Sequence, residues 1–381
     1  MELKTRGKAH HINAPIVGRV TRDLVNCGKD QILLFDDLSF PDGLTPQLSG
    51  FKCILTSSAF SFDNLALPYV DRVGFLHHLF EGDLVVVNSD GIINTLYRVD
   101  SFQNALLVTE RCNSNCLMCS QPPKDREDIP YLNGIHQQLL PLIPKDCLEL
   151  GITGGEPTLM GELFFDLLNQ IKLELPQTEL HCLTNGRTFA WRKFSEKLGS
   201  LKMERLMLGI PLYSDYAPVH DYIVQASGAF EQTMLGLYHL AANDVRIEIR
   251  VVLHSQTIPR LGKLARYIYK NLPFVEHVAF MGLEHQGYTP HNIDKLWIDP
   301  VDYMSELEDA VGFLSDKGMN VSIYNSQLCL MPEGLWAYSR NSISDWKNIY
   351  LPECKECSLL DRCGGLFASA EEKHSQFIRS V

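Results

Sequence analysis

The alternation of short apolar runs with helical patterns, which begins near residue 104, constrains the fold of this chain more than any other feature. The runs that predict strands are residues 105–109, 147–153, 179–184, 205–212, 246–253 and 277–283. One intervening segment has the helical period, since Phe230, Met234, Leu237 and Ala241 share one face. Strands that alternate with helices predict parallel βα units, arranged as an open sheet or a partial barrel. In both arrangements ligands bind at the carboxyl ends of the strands.

The first 103 residues follow a different sequence pattern, which predicts short strands and turns. The clearest case is "DLVVVNSDGIINTLYRV" at 83–99, where two β-rich runs flank a turn signal. We therefore predict a small β-rich domain at 1–103, the βα array at 104–300 and a C-terminal segment at 301–381. A free sheet edge can capture an extended peptide through backbone hydrogen bonds, so this hairpin is a candidate peptide-holding element. A domain that shields the array or forms a dimer is the alternative.

The overall composition limits the classes of function. The 381 residues exceed one small domain, and 45% hydrophobic with 21% charged residues is typical of globular proteins. A net charge of −12 argues against general binding of nucleic acid or anionic membranes. No apolar run reaches the roughly 18 residues of a membrane span, and the first residues lack the apolar core of a signal peptide. We expect a cytoplasmic protein whose partners include neither nucleic acid nor a membrane.

Three of the eleven cysteines, Cys112, Cys116 and Cys119, have the spacing C-x3-C-x2-C on a loop after the first predicted strand. In a reducing compartment, cysteines serve as metal ligands, catalytic thiols or buried side chains rather than disulfides. A structural zinc site needs four ligands, whereas an iron–sulfur cluster held by three thiolates would keep one iron free for an external ligand. Zinc or buried thiols are the alternatives. The isolated cysteines, which we expect to be buried thiols, are Cys27, Cys53, Cys147 and Cys182.

A second motif ends the second predicted strand, in "GITGGEPTL". Glycines such as Gly154 and Gly155 let backbone approach a ligand closely. The carboxylate of Glu156 can hold an ammonium group by charge-assisted hydrogen bonds. The cysteine triplet, the βα order and this "GGEP" sequence together resemble the radical S-adenosylmethionine (radical SAM) superfamily, over about residues 104–290.

The resemblance implies a partial (β/α)6 barrel, a 4Fe–4S cluster on the three cysteines, and S-adenosylmethionine at the open iron. In this superfamily the reduced cluster cleaves S-adenosylmethionine to methionine and a 5′-deoxyadenosyl radical. That radical takes a hydrogen atom from the substrate. The cofactor supplies the radical chemistry, and the protein positions the substrate and excludes competing reactions.

The resemblance also implies cofactor contacts along the same edge. The segment Gly154, Gly155 and Glu156 would hold the methionine amino group, and Met118, where the family often has an aromatic residue, would approach the adenine. Ser214 could reach the ribose, and Arg250 could meet the cofactor carboxylate. A surface hydroxyl is the alternative for Ser214, and a structural ion pair is the alternative for Arg250.

Weaker candidates lie near other strand ends. Asn185 ends the third strand and is similar in place to cofactor-contacting residues of the family. His254, Glu284 and His285 could contact the substrate. A turn residue is the alternative for Asn185, and a solvated loop residue is the alternative for the other three.

The C-terminal segment contains a second cysteine group. "CKECSLLDRC" places Cys354, Cys357 and Cys363 close together, and Cys329 precedes them by 25 residues. Four thiolates could hold zinc or a closed 4Fe–4S cluster, and spacing alone does not choose. The pattern resembles the shortened, one-cluster (Twitch/SPASM-like) auxiliary domain of peptide-modifying radical SAM enzymes. It implies one auxiliary 4Fe–4S cluster, with zinc as the alternative.

The run "CLMCSQPP" looks like the radical SAM maturases of His-Xaa-Ser peptide systems. This resemblance implies a ribosomally made precursor peptide as substrate, an electron donor such as flavodoxin or ferredoxin, and a second radical SAM protein as a candidate partner. Two other functions compete with it: a radical SAM enzyme acting on a small molecule, and a non-catalytic metal-binding scaffold. Only the scaffold predicts no cleavage of S-adenosylmethionine.

Overall fold

The computed structural model describes residues 3–25, 28–35, 48–59, 67–341 and 348–381. The chain forms two compact units. The first contains Met1–Leu106, Asp128–Leu150 and Asp166–Thr178, and the second contains Leu107–Glu127, Gly151–Phe165 and Glu179–Val381. In the described ranges, no helix has the length and apolar character needed to cross a membrane.

The first unit is built on a sheet of short strands. Within the described residues it has eight strands: β1 Lys4–Arg6, β2 Lys8–His10, β3 Ile16–Thr21, β4 Gln31–Leu34, β5 Cys53–Leu55, β6 Tyr69–Asp71, β7 Leu84–Val87 and β8 Ile92–Tyr97. Their order is β1-β8-β7-β3-β4-β5-β6-β2. Valine, leucine and isoleucine side chains of β4, β5 and β7 are buried and form the core. The predicted N-terminal β-rich region is confirmed.

The predicted hairpin at 83–99 is present as β7 and β8, with Gly91 in its turn at φ +81°. Strand β7 also pairs with β3, and residues 92–94 of β8 also pair with β1. Only Gly7 separates β1 from β2, and these two strands pair with the opposite ends of the sheet order. Segment 4–10 therefore joins both edges of the sheet. Both outer sides of the hairpin are thus paired, so the hairpin itself does not offer a free edge to a peptide. A peptide-holding role of the N-terminal domain stays a prediction.

The second sheet contains the six predicted strands and two more. Its strands are β9 Asn104–Leu107, β10 Glu149–Thr153, β11 Glu179–Leu183, β12 Leu206–Pro211, β13 Arg246–Leu253, β14 His277–Gly282, β15 Val321–Tyr324 and β16 Ser339–Arg340. They lie in chain order across the sheet, and every pair from β11 to β16 is parallel. Sequence reasoning missed β15 and β16 because they are only four and two residues long. A short antiparallel pair, β17 Asn348–Ile349 and β18 Leu366–Phe367, follows.

Helices connect most of these strands, as the alternating pattern predicted. They are α1 Ile129–Leu139, α2 Glu162–Glu174, α3 Arg192–Ser200, α4 Ala217–Val224, α5 Ala229–Ala241, α6 Leu261–Asn271, α7 Ile293–Leu296 and α8 Met304–Asp316. On α5, Met234 and Leu237 of the predicted apolar face are buried, whereas Phe230 and Ala241 are only partly buried. The parallel βα architecture expected from the sequence is confirmed.

Candidate functional site

The cysteine loop follows β9 and is held on two sides by backbone contacts. Leu117 N–H donates to Ile223 O at the end of α4 (2.9 Å), and Asn292 Nδ2 donates to Leu117 O (3.0 Å). Tyr288 N–H donates to Cys119 O at 2.9 Å. These bonds fix the main chain around the three cysteines before any ligand is considered.

The three thiols lie in a shared, partly dry environment. Burial raises the pKa of Cys112 to about 11 and that of Cys116 to about 12, and it also raises the pKa of Cys119. Negative charge on Cys112 and Cys119 raises the pKa of Cys116 further. A bound cationic centre would reverse this balance, because metal coordination stabilises thiolates. The donor set therefore fits a thiolate-bound cluster.

The thiols are not drawn onto a single point. The described ranges contain no group of three or more His, Cys, Asp or Glu side chains that could hold one metal ion. A cluster of four irons places fewer demands of this kind, since each thiolate binds a different iron.

Gly154 and Gly155 bring the end of β10 against the cysteine loop. Gly155 N–H donates to Thr109 O, and Glu156 N–H donates to Arg111 O, both at 2.8 Å. A Cβ at Gly154, whose φ is +154°, would lie 2.3 Å from Thr109 O, and one at Gly155 would lie 2.1 Å from Arg111 O. No side chain fits at either position. The glycines therefore have a structural purpose besides the predicted approach to a cofactor.

Glu156 is fully buried and ties β10 to the end of β11. Its Oε1 accepts bonds from Thr158 N–H (3.0 Å), Thr158 Oγ1 (2.6 Å) and Thr184 Oγ1 (2.7 Å). Its Oε2 accepts a bond from Asn185 N–H at 2.7 Å. An ionised carboxylate has about four acceptor positions, so the protein itself uses most of this capacity. The predicted contact with an ammonium group remains a prediction.

The other predicted cofactor residues lie near the same loop. Met118 is buried in an apolar cluster with Leu117 and Tyr213. Ser214 is fully buried, and its Oγ accepts the N–H of Tyr216 at 3.2 Å. Their roles toward adenine and ribose remain predictions.

Arg250 on β13 is held by two groups, which contact two of its three guanidinium nitrogens. Its Nη2 donates to Met281 Sδ at 3.0 Å, and its Nε lies 3.7 Å from Glu248 Oε1. Its buried Nη1 has no hydrogen-bond partner among the residues that the structure describes. Burial raises the pKa of Tyr213 well above its usual value, negative charge on Cys116 raises it further, and Arg250 opposes the shift. Tyr213, which sequence reasoning missed although it precedes Ser214, thus lies within electrostatic reach of both groups.

A buried carboxylate on the same strand supports Arg250. His277 Nδ1 lies 2.6 Å from Glu248 Oε2, and His181 Nε2 lies 3.3 Å from Glu248 Oε1. Burial opposes the ionisation of Glu248, but the bonds from His181 and His277 and the charge of Arg250 outweigh it and hold the pKa of this carboxyl well below its usual range. Sequence reasoning missed this group, although a charged residue inside the apolar run "RIEIRVVL" was a signal.

The candidate substrate residues are less accessible than the sequence suggested. His254 is fully buried, its Nδ1 accepts the N–H of Gln256 (3.2 Å), and burial lowers its pKa to about 3. Glu284 and His285 are partly buried after β14. Burial lowers the pKa of His285, and the nearby charge of Lys373 adds to this effect.

The four tail cysteines line one cavity of about 20 Å³, whose lining also includes Tyr350 after β17 and Leu366 of β18. Its lining includes Cys329, Cys354, Cys357 and Cys363. Burial raises the pKa of Cys329, and negative charge on Cys363 and Cys354 raises it further. The fold therefore brings together four thiols that are up to 34 residues apart in sequence (363 − 329). The metal they would hold remains a prediction.

Three of the four isolated cysteines are buried, as predicted. Cys53 and Cys182 are fully buried, and Cys147 is 8% exposed. Burial raises the pKa of Cys53 to about 12. Cys27 lies outside the described residues.

Comparisons with known proteins agree with the fold. Residues 106–268 match the family model described as the radical SAM superfamily. An uncharacterized protein of Methanocaldococcus jannaschii, MJ0907, is 24% identical over 282 residues, which are 68% of this chain and 94% of that protein. This chain is thus similar in sequence to a protein whose own activity is not named.

Two solved structures illustrate the structural likeness. Streptococcus suis SuiB bound to S-adenosylmethionine has 17% identity and a TM-score of 0.46, over 57% of this chain. The match spans about half of SuiB, 49% of its length. Native anSMEcpe with bound AdoMet and the Cp18Cys peptide has 16% identity and a TM-score of 0.49, over 72% of this chain and 91% of that one.

The fold is an α/β fold with a parallel sheet and an additional N-terminal β-rich region, and residues 106–268 of it match the radical SAM superfamily model. The family-model match supports a radical SAM enzyme, and with it a 4Fe–4S cluster and S-adenosylmethionine. The narrower resemblance to His-Xaa-Ser maturases stays a prediction.

Proposed function

We propose that this chain is a cytoplasmic radical SAM enzyme that modifies a ribosomally made precursor peptide, of the His-Xaa-Ser type. The observation that carries the peptide part is the second cysteine set. Its four thiols line one cavity in the same compact unit as the cysteine loop. Its spacing resembles the one-cluster auxiliary domain of peptide-modifying radical SAM enzymes, and the run "CLMCSQPP" points to the same family.

Cys112, Cys116 and Cys119 would hold the first cluster. When bound with S-adenosylmethionine, that cluster supplies one-electron reductive cleavage and so the abstraction of a hydrogen atom from the substrate. The protein contributes a loop fixed by Ile223, Tyr288 and Asn292 and a partly buried setting for the thiols. Exclusion of water from such a site suppresses side reactions.

The carboxyl edge of the sheet would bind the cofactor. Gly154 and Gly155 keep the end of β10 free of side chains, and Glu156 holds the ends of β10 and β11 together. Arg250 offers a guanidinium nitrogen that has no partner in the described part of the chain, and a carboxylate is the group that such a nitrogen binds best. Met118 and Ser214 are assigned to adenine and ribose by the family resemblance.

The tail cysteines would hold one auxiliary 4Fe–4S cluster. Four thiolates suit either a closed 4Fe–4S cluster or zinc, and the resemblance of their spacing to the one-cluster auxiliary domain favours the cluster. Zinc at the same four thiols is the alternative, and elemental analysis of the purified protein distinguishes the two.

The test is an anaerobic reconstitution followed by reduction with dithionite, which replaces a flavodoxin or ferredoxin donor. We expect 5′-deoxyadenosine in the absence of peptide, and a mass change in a peptide with His-Xaa-Ser repeats in its presence. The matched control is the variant with Cys112, Cys116 and Cys119 all changed to Ala. Cleavage without any change in such peptides would favour a small-molecule substrate, and no cleavage at all would favour a non-catalytic scaffold.

A further inference from the structure

Asn185, at the end of β11, is fixed at every one of its polar atoms. Its backbone N–H donates to Glu156 Oε2 at 2.7 Å, and its backbone O accepts a bond from Thr233 Oγ1 at 3.0 Å. Its side-chain Oδ1 accepts the N–H of Arg187 at 3.0 Å. A residue held in this way keeps one side-chain orientation, and fixing that orientation costs conformational entropy.

The orientation of the Asn185 amide follows from these partners. The oxygen and nitrogen of an amide are distinguished by the groups they face. Since Oδ1 faces the donor N–H of Arg187, the Nδ2 group must point the other way, toward the cysteine loop. There it donates to Asn113 Oδ1 at 2.5 Å and faces Cys112 Sγ at 3.9 Å. An amide nitrogen carries two hydrogens, so one is available for each acceptor.

The cysteine loop is pinned against the same segment by a second residue. Arg187 Nη1 donates to Asn113 O and, at 3.0 Å, to Ser114 Oγ. Arg187 Nε is in turn held by Gln232 Oε1 at 2.8 Å. Cys112 therefore cannot move away from Asn185 without breaking these bonds.

We propose that Asn185 is a positioning residue that donates an N–H···S hydrogen bond to the Cys112 thiolate and thereby raises the reduction potential of the cluster held there. Hydrogen bonds to cluster sulfurs are among the factors that set such potentials. The physical reason is that the reduced cluster carries one more electron, so its sulfurs are more negative and the bond is stronger in the reduced state. This inference rests on the proposed function, because it needs a cluster at Cys112.

Glu156 takes part in this arrangement indirectly. Its Oε2 holds the backbone of Asn185, and its Oε1 holds the neighbouring Thr184. Through these two bonds, the "GGEP" carboxylate fixes the place from which the Asn185 amide reaches the sulfur. One buried acid thus connects the second strand to the ligand environment of the first cysteine.

The experiment is an EPR-monitored redox titration of the reconstituted protein without S-adenosylmethionine. Asn185→Ala removes the N–H donor and should lower the midpoint potential of the first cluster. A change of up to about tenfold in the reduction equilibrium corresponds to about 59 mV for a one-electron couple. Thr233→Val, which removes a bond to Asn185 O but leaves Nδ2 in place, is the matched control and should titrate as the wild type does.

Each result decides the matter. If Asn185→Ala does not retain the cluster, Asn185→Ser keeps a side-chain acceptor for Arg187 N–H while losing the amide donor and adding no charge, and it should also lower the potential. An unchanged potential in the variant that retains the cluster, or an equal fall in Thr233→Val, overturns the inference and leaves the proposed function standing. A wild-type protein without a reducible cluster that depends on Cys112 overturns the proposed function, and this inference with it.

Discussion

Replacement of Glu156 by alanine tests the most densely bonded part of the site. The change leaves two backbone donors, Thr158 N–H and Asn185 N–H, without the carboxylate that accepts them at 3.0 and 2.7 Å. The hydroxyl of Thr158 keeps a second partner in Thr188 Oγ1, at 2.7 Å. An unsatisfied buried donor costs about 1–3 kcal/mol. The hydroxyl of Thr184 also loses its acceptor, although a hydroxyl can rotate toward another partner. For the two backbone donors alone, we expect the free energy of unfolding to fall by about 2–6 kcal/mol.

The assay is urea unfolding of the metal-free protein, followed by tryptophan fluorescence. All four tryptophans lie in the sequence ranges of the second compact unit, so the signal reports on the unit that contains Glu156. The matched control is Glu162→Ala, whose side chain is 79% exposed and pairs only with Lys197 in the ion pairs found for it. A surface change of this kind should alter stability by less than about 0.5 kcal/mol.

The same variant also tests the cofactor contact. After reconstitution, Glu156→Ala should weaken binding of S-adenosylmethionine by about 1.5–3 kcal/mol, the usual contribution of a hydrogen bond to a charged group. If affinity falls while stability is unchanged, Glu156 contacts the cofactor directly and the bonding network described for it is incorrect. If stability falls as expected but affinity does not, the backbone of the "GGEP" segment suffices for binding.

Three further predictions concern the metal sites. Reconstitution should give about eight irons per chain, from two four-iron clusters. Changing Cys112, Cys116 and Cys119 to Ala should remove half of this iron and all reductive cleavage. Full iron retention in this variant would contradict the assignment of these ligands. The C-terminal segment should become more sensitive to protease when any one of its four cysteines is lost, because metal binding and local folding are coupled. These cysteines are Cys329, Cys354, Cys357 and Cys363. The control Cys182→Ala, at a buried thiol outside the cavity, should leave the cleavage pattern of that segment unchanged. Gly155→Ala should displace the cysteine loop and lower iron at the first site, since its Cβ would lie 2.1 Å from Arg111 O; the matched change Gly312→Ala, which has nothing within 4 Å of the added Cβ, should not.

The strands and the ligand groups of this protein could be predicted because their signals are local. An apolar run of five to eight residues between turn signals specifies a strand such as β10 or β13 wherever its neighbours lie. Likewise, the spacing of Cys112, Cys116 and Cys119 within one loop shows a shared ligand set without knowledge of the fold. Strands of two to four residues, such as β15 and β16, carry too few side chains for this kind of pattern.

The sequence by itself determined the parallel βα architecture, the two cysteine groups and the position of the "GGEP" turn, since each depends on residues that are close along the chain. Only the tertiary structure decided which side chains contact each other and which strands pair. Glu156 bonds to residues 28 and 29 positions later, and Glu248 on β13 meets His181 on β11 across the intervening strand β12. Segment 4–10 removes the free edge that the hairpin at 83–99 was expected to offer. Pairings of this kind depend on the summed packing of the whole sheet, which no short stretch of sequence encodes.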